Sequence, residues 1–139
     1  MLDANVIIKL VLNEPDSKVA RNTVEGFLEK GHLLYTVDNA LAECLNVLWK
    51  HATLLRDLSV GDTKTAIHYL LLMFNRLNVT KTPDIAEQTM AIAQTLKVPV
   101  YDALYIALAE KEKGTLYTTD KKLATIAGTI ITVKLLKPN

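Results

Sequence analysis

Apolar positions along the chain follow two spacings, which together predict an alternation of helices and short strands. Apolar residues three and four positions apart are typical of helices with one buried face, whereas short apolar or β-branched runs between turn residues are typical of strands. The predicted helices span residues 5–12, 16–30, 38–57, 59–74, 82–96, 101–113 and 120–127. The predicted strands span residues 1–2, 33–36, 77–80, 115–118 and 129–135.

This alternation of strands and helices predicts an α/β fold. Strands linked through helices form mainly parallel sheets, and the helices cover both faces of the sheet. Ligands of such folds bind outside the carboxyl ends of the strands, where the strand order reverses. We therefore look for function in residues that directly follow predicted strands or open the helices packed beside them.

Two predicted helices carry distinctive apolar patterns. The helix over 38–57 is expected to begin with Asp38 as its N-cap and to bury one stripe of residues. That stripe consists of Leu41, Leu45, Leu48, Ala52 and Leu55. The helix over 59–74 is apolar on several faces, since Tyr69, Leu72 and Met73 flank its main stripe. One domain rarely covers such a surface, so we expect a homodimer.

Composition limits the classes of function. With 139 residues, half of them hydrophobic, we expect one domain over residues 1–139 with a buried core. The apolar runs are shorter than the ~20 residues of a membrane span, and no membrane partner is expected. One cysteine and three histidines argue against a disulfide framework and a Cys/His zinc site, so the expected compartment is the reducing cytoplasm.

The net charge gives no general affinity for polyanions. It is only +1, too small to hold a nucleic acid by counterion release alone. A nucleic-acid partner would therefore need a local basic patch or bound cations.

Asp102 is the most informative acid in the chain. It is the only charge between Val100 and Ala109, and it shares a helical face with Tyr105 and Ile106. Its carboxylate is therefore expected to point inward or into a cleft, where an unpaired charge is costly. The alternative is an ordinary N-cap after Pro99.

Three further acids occupy positions of interest. Asp3 and Asp120 each follow a predicted strand, although each also suits the start of a helix. Glu43 lies in the first turns of the helix over 38–57, where a solvated glutamate is the alternative. The hypothesis is that folding brings these acids and Asp102 together at one edge of the sheet.

With these acids and their neighbours, the chain resembles the PIN domain family, in particular small VapC-type toxin ribonucleases. The resemblance covers essentially the whole chain in length and motif order. It rests on Asp3-Ala4-Asn5-Val6-Ile7, then Glu43, then Asp102-Ala103 with Tyr105, Ala107 and Ala109, then Thr118-Thr119-Asp120.

The resemblance implies a fold, an activity and partners. It implies a three-layer α/β/α sandwich with a short five-stranded parallel sheet in the order 3-2-1-4-5. The implied activity is Mg²⁺- or Mn²⁺-dependent cleavage of RNA by Asp3, Glu43, Asp102 and Asp120, which would also be the metal ligands. Asn5 and Thr118 match the family's polar neighbours of those acids. A protein antitoxin, encoded next to the toxin and able to occlude the acidic pocket, is the further implied partner.

Two departures from the family pattern concern the first strand and the metal. Only Met1 and Leu2 precede Asp3, whereas family members usually carry several strand residues there. Lys121 and Lys122 follow Asp120, where some members add another acid, which leaves open whether one or two ions bind.

The chemistry of the acids agrees with such a metal site. Crowded carboxylates repel one another, and a divalent cation relieves that repulsion. Oxygen ligands without Cys or His select hard cations such as Mg²⁺, for which Mn²⁺ can substitute. A bound ion would polarise the scissile phosphate and activate a water, so the expected products are a 5′-phosphate and a 3′-hydroxyl.

Polar residues near the acids have supporting roles in this hypothesis. Asn5 and Thr118 could orient the ligands by hydrogen bonds, although ordinary turn chemistry explains each equally well. Lys9, Lys121 and Lys122 could contact the RNA backbone, with solvated surface lysines as the alternative.

Two other functions remain in competition. A receiver-like Mg²⁺-binding signalling domain would need an adjacent acidic pair after the first strand, but Ala4 and Asn5 follow Asp3. A catalytically silent PIN-like interaction module is the other alternative, and the presence of all four acids argues against it.

Overall fold

The structure, a computed structural model, describes residues 1–138 of the chain. The helices are α1 (Ala4–Lys9), α2 (Ser17–Glu29), α3 (Asn39–Trp49), α4 (Val60–Phe74), α5 (Thr82–Leu96), α6 (Val100–Lys111) and α7 (Lys121–Ala127). The strands are β1 (Tyr35–Val37), β2 (Asn78–Thr80), β3 (Thr115–Thr118) and β4 (Thr132–Leu135). A π-helical segment, Lys50–Leu55, continues α3.

The strands form two parallel pairs, β1 with β2 and β3 with β4. Residues 1–3 run between these pairs, because the Leu2 N–H donates to the Tyr35 carbonyl at 2.9 Å and the Tyr117 N–H donates to the Met1 carbonyl at 2.8 Å. Leu2 also forms a single parallel bridge with Tyr117. Asp3 therefore leaves the sheet region directly into α1.

The predicted α/β fold is confirmed, whereas its finer description is not. Within residues 1–138, four regular strands and one bridge take the place of the five predicted strands. The three-layer sandwich with a five-stranded sheet in the order 3-2-1-4-5 stays a prediction. Residues 1–3, predicted to carry the first strand, contribute the Leu2–Tyr117 bridge and hydrogen bonds to both strand pairs without forming a regular strand.

Helix α6 lies at the centre of the core. Its residues 103–109 are each at most 2 % exposed, since the helix packs against α5 and contacts β1 and β3. A helix that is apolar on all sides is stable in water only when buried in this way. Burial of α6 also carries Asp102, in its first turn, to the edge of the interior.

The predicted helix over 38–57 is wrong in its end and its buried face. The α-helix ends at Trp49 and continues as a π-helix, and its core face is Ala40, Cys44 and Leu48. Leu45 and Leu55, predicted for the core, are exposed. Of the predicted stripe only Leu48 is fully buried, and Cys44 takes the inward position beside it, with its Sγ 3.6 Å from the Ala4 carbonyl oxygen of α1.

Asp38 occupies the predicted N-cap position of α3, but its side chain forms no cap hydrogen bond there. Its backbone is helical and its carboxylate accepts hydrogen bonds from the N–H and the hydroxyl of Thr82 instead. These bonds join the end of β1 to the start of α5, so Asp38 serves the connection between two elements.

Helix α4 leaves part of its apolar surface uncovered. Tyr69 and Leu72, predicted to flank the main stripe, are each about half exposed, and so is Leu71, which was predicted to lie within the stripe. Across residues 1–138, the helices are too short or too polar for any of them to cross a bilayer.

Candidate active site

The four candidate acids come from separate elements that meet beside the carboxyl ends of the strands. Asp3 follows Leu2, and Asp120 follows β3 at the N-terminus of α7. Glu43 projects from α3, and Asp102 lies in the first turn of α6. The order of the elements thus brings together acids that are up to 117 positions apart in the chain, from Asp3 to Asp120.

Asp3 is the buried member of this group. It is 1 % exposed, and its Oδ1 accepts the Val6 N–H at 2.9 Å, so it caps α1. Its Oδ2 is buried without a hydrogen-bond partner among residues 1–138. Burial raises the pKa of Asp3 to about 7, the charges of Glu43 and Asp120 add to the rise, and the Thr118 hydroxyl and the Val6 N–H oppose it. An ionised Asp3 therefore needs a cation nearby.

Glu43 is held by two donors on one oxygen. Its Oε1 accepts hydrogen bonds from the Tyr105 hydroxyl at 3.0 Å and from the Asn39 side-chain amide at 3.1 Å. Burial raises the pKa of Glu43 and the charge of Asp102 adds to the rise, while Tyr105 and Asn39 oppose it. Glu43 is thus an ordered carboxylate, which contradicts the alternative of a fully solvated helix glutamate.

Asp102 is not an N-cap. Pro99 occupies that position in α6, and no side-chain cap bond forms there. Burial raises the pKa of Asp102 and the charge of Asp120 raises it further, whereas Lys122 lowers it. The local capping explanation for this acid is therefore wrong, and its neighbours across the site are another acid and a lysine.

Asp120 is an N-cap as well as a member of the group. Its Oδ1 accepts the Leu123 N–H at 3.0 Å, and its own N–H donates to the Thr118 hydroxyl at 2.9 Å. Asp120 and Asp102 line a small cavity of about 110 Å³ together with Lys97 and Lys122.

The oxygen atoms of the four acids are donors of the kind that hard divalent cations prefer. Four carboxylates supply oxygen ligands, and the unpartnered Asp3 Oδ2 is an acceptor that a cation would satisfy. As the side chains of residues 1–138 stand, no three of their Asp, Glu, His or Cys groups are arranged around one point. A bound ion would therefore have to draw side chains together, which the partly exposed Glu43, Asp102 and Asp120 can accommodate more readily than buried Asp3.

The other predicted site residues differ in burial and in how near they lie to the acids. Thr118 is buried beside Asp3 and Asp120, whereas the Asn5 side chain is exposed. Lys121 and Lys122 are exposed at the start of α7. Lys9 lies away from the acids and forms ion pairs with Glu14 and Asp16.

Sequence reasoning missed the contacts of three residues beside the acids. Tyr105 and Asn39 donate to Glu43, and Lys97 lines the cavity of Asp102 and Asp120. Asn39 was detectable from sequence, because it lies one helical turn before Glu43. Tyr105 was recognised as a neighbour of Asp102 on α6, but its contact with Glu43 depends on the tertiary structure. The position of Lys97 beside Asp102 and Asp120 had no comparable signal.

A larger concave surface lies elsewhere. It is an apolar groove of about 600 Å³, lined by Leu10, Val11, Arg21, Tyr69, Leu72, Met73 and Arg76. It has no carboxylate in its lining, so we place the chemistry at the smaller cavity, which is lined by the two carboxylates Asp102 and Asp120.

Comparison with known proteins agrees with this arrangement. A family model described as PIN domain matches residues 1–129. Ribonuclease VapC3 of Pyrobaculum aerophilum is 36% identical over 126 residues, which cover 89% of this chain and 91% of that protein. The crystal structure of PAE2754 from Pyrobaculum aerophilum shares the fold, with a TM-score of 0.70 and 22% identity over 95% of this chain and 80% of that one. The chain therefore belongs to the PIN domain family.

Proposed function

We propose that this protein is a divalent-metal-dependent endoribonuclease, the toxin of a type II toxin-antitoxin pair. The observation that carries the proposal is the buried Asp3 carboxylate, whose Oδ2 lacks a partner among the described residues while Glu43 and Asp120 lie close enough to raise its pKa. Such crowding is costly unless a cation is present. Similarity to Ribonuclease VapC3 supports RNA as the substrate.

In this proposal Asp3, Glu43, Asp102 and Asp120 hold one or two Mg²⁺ ions, with Mn²⁺ able to substitute. A metal of this kind supplies Lewis-acid polarisation of a phosphate and a water of lowered pKa, which predicts 5′-phosphate and 3′-hydroxyl products. Thr118 supports the site by accepting the Asp120 N–H, which fixes the backbone at the start of α7, while the Leu123 N–H orients the Asp120 carboxylate.

Lysines beside the acids would bind the RNA backbone. Lys97 and Lys122 line the cavity of Asp102 and Asp120, and neither forms a salt bridge with another residue in the range 1–138. Their charges are therefore available to a phosphate. Lys121 also stays a candidate contact, whereas the ion pairs of Lys9 with Glu14 and Asp16 make it a weaker one.

Two protein partners belong to the same proposal. The half-exposed apolar residues of α4 support a homodimer, because a contiguous apolar surface is typical of an interface. A cognate antitoxin and a cytoplasmic location are proposed from the similarity to a VapC protein.

The decisive test is cleavage of end-labelled RNA by the purified protein. Cleavage is expected with Mn²⁺ and none with EDTA, and Asp102→Asn is expected to abolish it with the helical circular dichroism retained. Asp84→Asn is the matched control, since Asp84 lies in the first turn of α5 as Asp102 does in α6. Cleavage that persists in EDTA, or 2′,3′-cyclic phosphate ends, would contradict the mechanism.

The same assay addresses the alternatives. Absence of cleavage with bound Mn²⁺ would favour a silent interaction module. Phosphorylation by acetyl phosphate would favour a receiver-like domain.

Lysine 97 allows a test that separates RNA binding from stability. Lys97 and Lys113 both adopt the left-handed conformation, with φ of 55° and 52°, at which glycine is unstrained. Lys97→Gly and Lys113→Gly are therefore both expected to keep or slightly raise the melting temperature. Only Lys97→Gly is expected to weaken RNA binding in EDTA and to lower the slope of log Kd against log salt by about 0.7. Equal salt slopes in the two variants would remove Lys97 from the RNA site.

A further inference from the structure

The Tyr105 hydroxyl joins three of the elements that carry the acids. It accepts a hydrogen bond from the Ala4 N–H at 3.2 Å and donates one to the Glu43 Oε1 at 3.0 Å. The tyrosine is 2 % exposed, so its hydroxyl has little access to solvent. One oxygen atom thus connects α6 to the first residue of α1 and to the carboxylate of α3.

The Ala4 contact places this hydroxyl next to Asp3. The first N–H groups of a helix have no partner within the helix, and Tyr105 supplies one for Ala4 while Asp3 caps Val6. A hydroxyl that accepts one hydrogen bond and donates another is polarised, which strengthens both bonds. The start of α1 and the Glu43 carboxylate are therefore fixed relative to each other.

The contact with Glu43 is selective for one oxygen. Tyr105 and Asn39 both donate to Oε1, and no hydrogen bond from residues 1–138 reaches Oε2. Such an arrangement fixes the direction of the carboxylate while it leaves one oxygen available to a ligand. Outer partners of this kind are known to orient the residues that bind metals.

We propose that Tyr105 is a positioning residue, which holds Glu43 Oε1 beside the start of α1 and leaves Oε2 free, so that Oε2 would be available to a divalent cation. This inference rests on the proposed function, because it assumes that the acids bind a divalent cation. Asp102 lies one helical turn before Tyr105 on the same face of α6, so the same helix supplies an acid and orients another.

Mn²⁺ binding by Tyr105→Phe, followed by electron paramagnetic resonance of free Mn²⁺, tests the proposal. The variant keeps the buried ring, so we expect it to fold, with Mn²⁺ binding weakened about tenfold. RNA cleavage is expected to fall at low Mn²⁺ and to recover at high Mn²⁺, with an unchanged KM for RNA. Tyr35→Phe is the matched control, because Tyr35 lies half-buried on β1 and none of the hydrogen bonds described for residues 1–138 involves its hydroxyl.

A double-mutant cycle distinguishes positioning from a merely structural role. If Tyr105 acts through Glu43, Tyr105→Phe will not change Mn²⁺ affinity further in a Glu43→Gln background. An additional loss of the same size there would overturn the proposal, as would unchanged affinity in the single variant. Should Tyr105→Phe fail to fold, Asn39→Ala removes the other donor to Oε1 from a half-buried position, and unchanged Mn²⁺ affinity in that variant would also overturn it.

Failure of the proposed function gives a different result. If the unaltered protein neither binds Mn²⁺ nor cleaves RNA, the metal site itself is refuted. If it does both and Tyr105→Phe behaves as Tyr35→Phe does, only the role of Tyr105 is refuted.

Discussion

Replacing Asp3 with asparagine is expected to lower RNA cleavage at least about 1,000-fold, which corresponds to about 4 kcal/mol of lost transition-state stabilisation. The same change is expected to raise the free energy of unfolding of the metal-free protein at pH 7.5 by about 2–4 kcal/mol. The reason is that Asp3 is 1 % exposed and burial raises its pKa to about 7, so the charged form is costly without a cation. Asparagine keeps the acceptor for the Val6 N–H without the charge.

Urea unfolding in EDTA and the RNA cleavage assay together measure these two effects. Asp38→Asn is the control, for which we expect the opposite change in stability. Partial burial raises the pKa of Asp38, but hydrogen bonds from Thr82 outweigh it and lower that pKa overall. That variant is expected to lose stability at neutral pH and to keep its cleavage activity. An Asp3→Asn variant that is less stable than the unaltered protein would show that Asp3 serves the fold and not a metal.

The metal-free protein is expected to lose stability as the pH rises from about 4 to about 7. Between the ordinary pKa of 3.8 and the raised value of about 7, the folded Asp3 keeps a proton that the unfolded chain has released. Stability therefore falls with rising pH, by up to about 4 kcal/mol over this range. The pKa values of Glu43 and Asp102, raised mainly by burial, act in the same direction.

The Met1 amino group opposes this loss of stability in the upper part of the pH range. Burial lowers the pKa of the Met1 amino group to about 6, so its deprotonation favours the folded state between pH 6 and 8. The difference between the unaltered protein and Asp3→Asn removes the part of this contribution that burial causes, because both proteins share Met1. The remaining part belongs to Asp3, whose charge raises the Met1 pKa in the unaltered protein only.

Unfolding in urea with EDTA from pH 4 to 8 measures the dependence. Saturating Mn²⁺ is expected to reverse the slope, since a metal binds ionised carboxylates in the folded state only. If the free energy of unfolding of Asp3→Asn depends on pH as that of the unaltered protein does, groups other than Asp3 cause the loss of stability.

Local patterns were sufficient to predict most helices and the places where strands occur. Helices α4, α5 and α7 begin within about two residues of the predicted positions, because their first turns carry recognisable signals such as Ser59 and Pro83. The buried face of α3 was not predictable from its own pattern. Cys44 faces inward beside the Ala4 carbonyl oxygen of α1, while the larger Leu45 is exposed.

The sequence by itself determined the alternation of helices and strands, the oxygen-only chemistry of the candidate site and the four acids to consider. These follow from residue types and from spacings of a few positions, which act through local geometry. Only the tertiary structure decided that Asp3 is the buried acid, that Tyr105 reaches Glu43 and Ala4, and that Lys97 lies beside Asp102 and Asp120. Desolvation and Coulomb interaction depend on distance through space, and chain order does not encode that distance for groups a hundred residues apart.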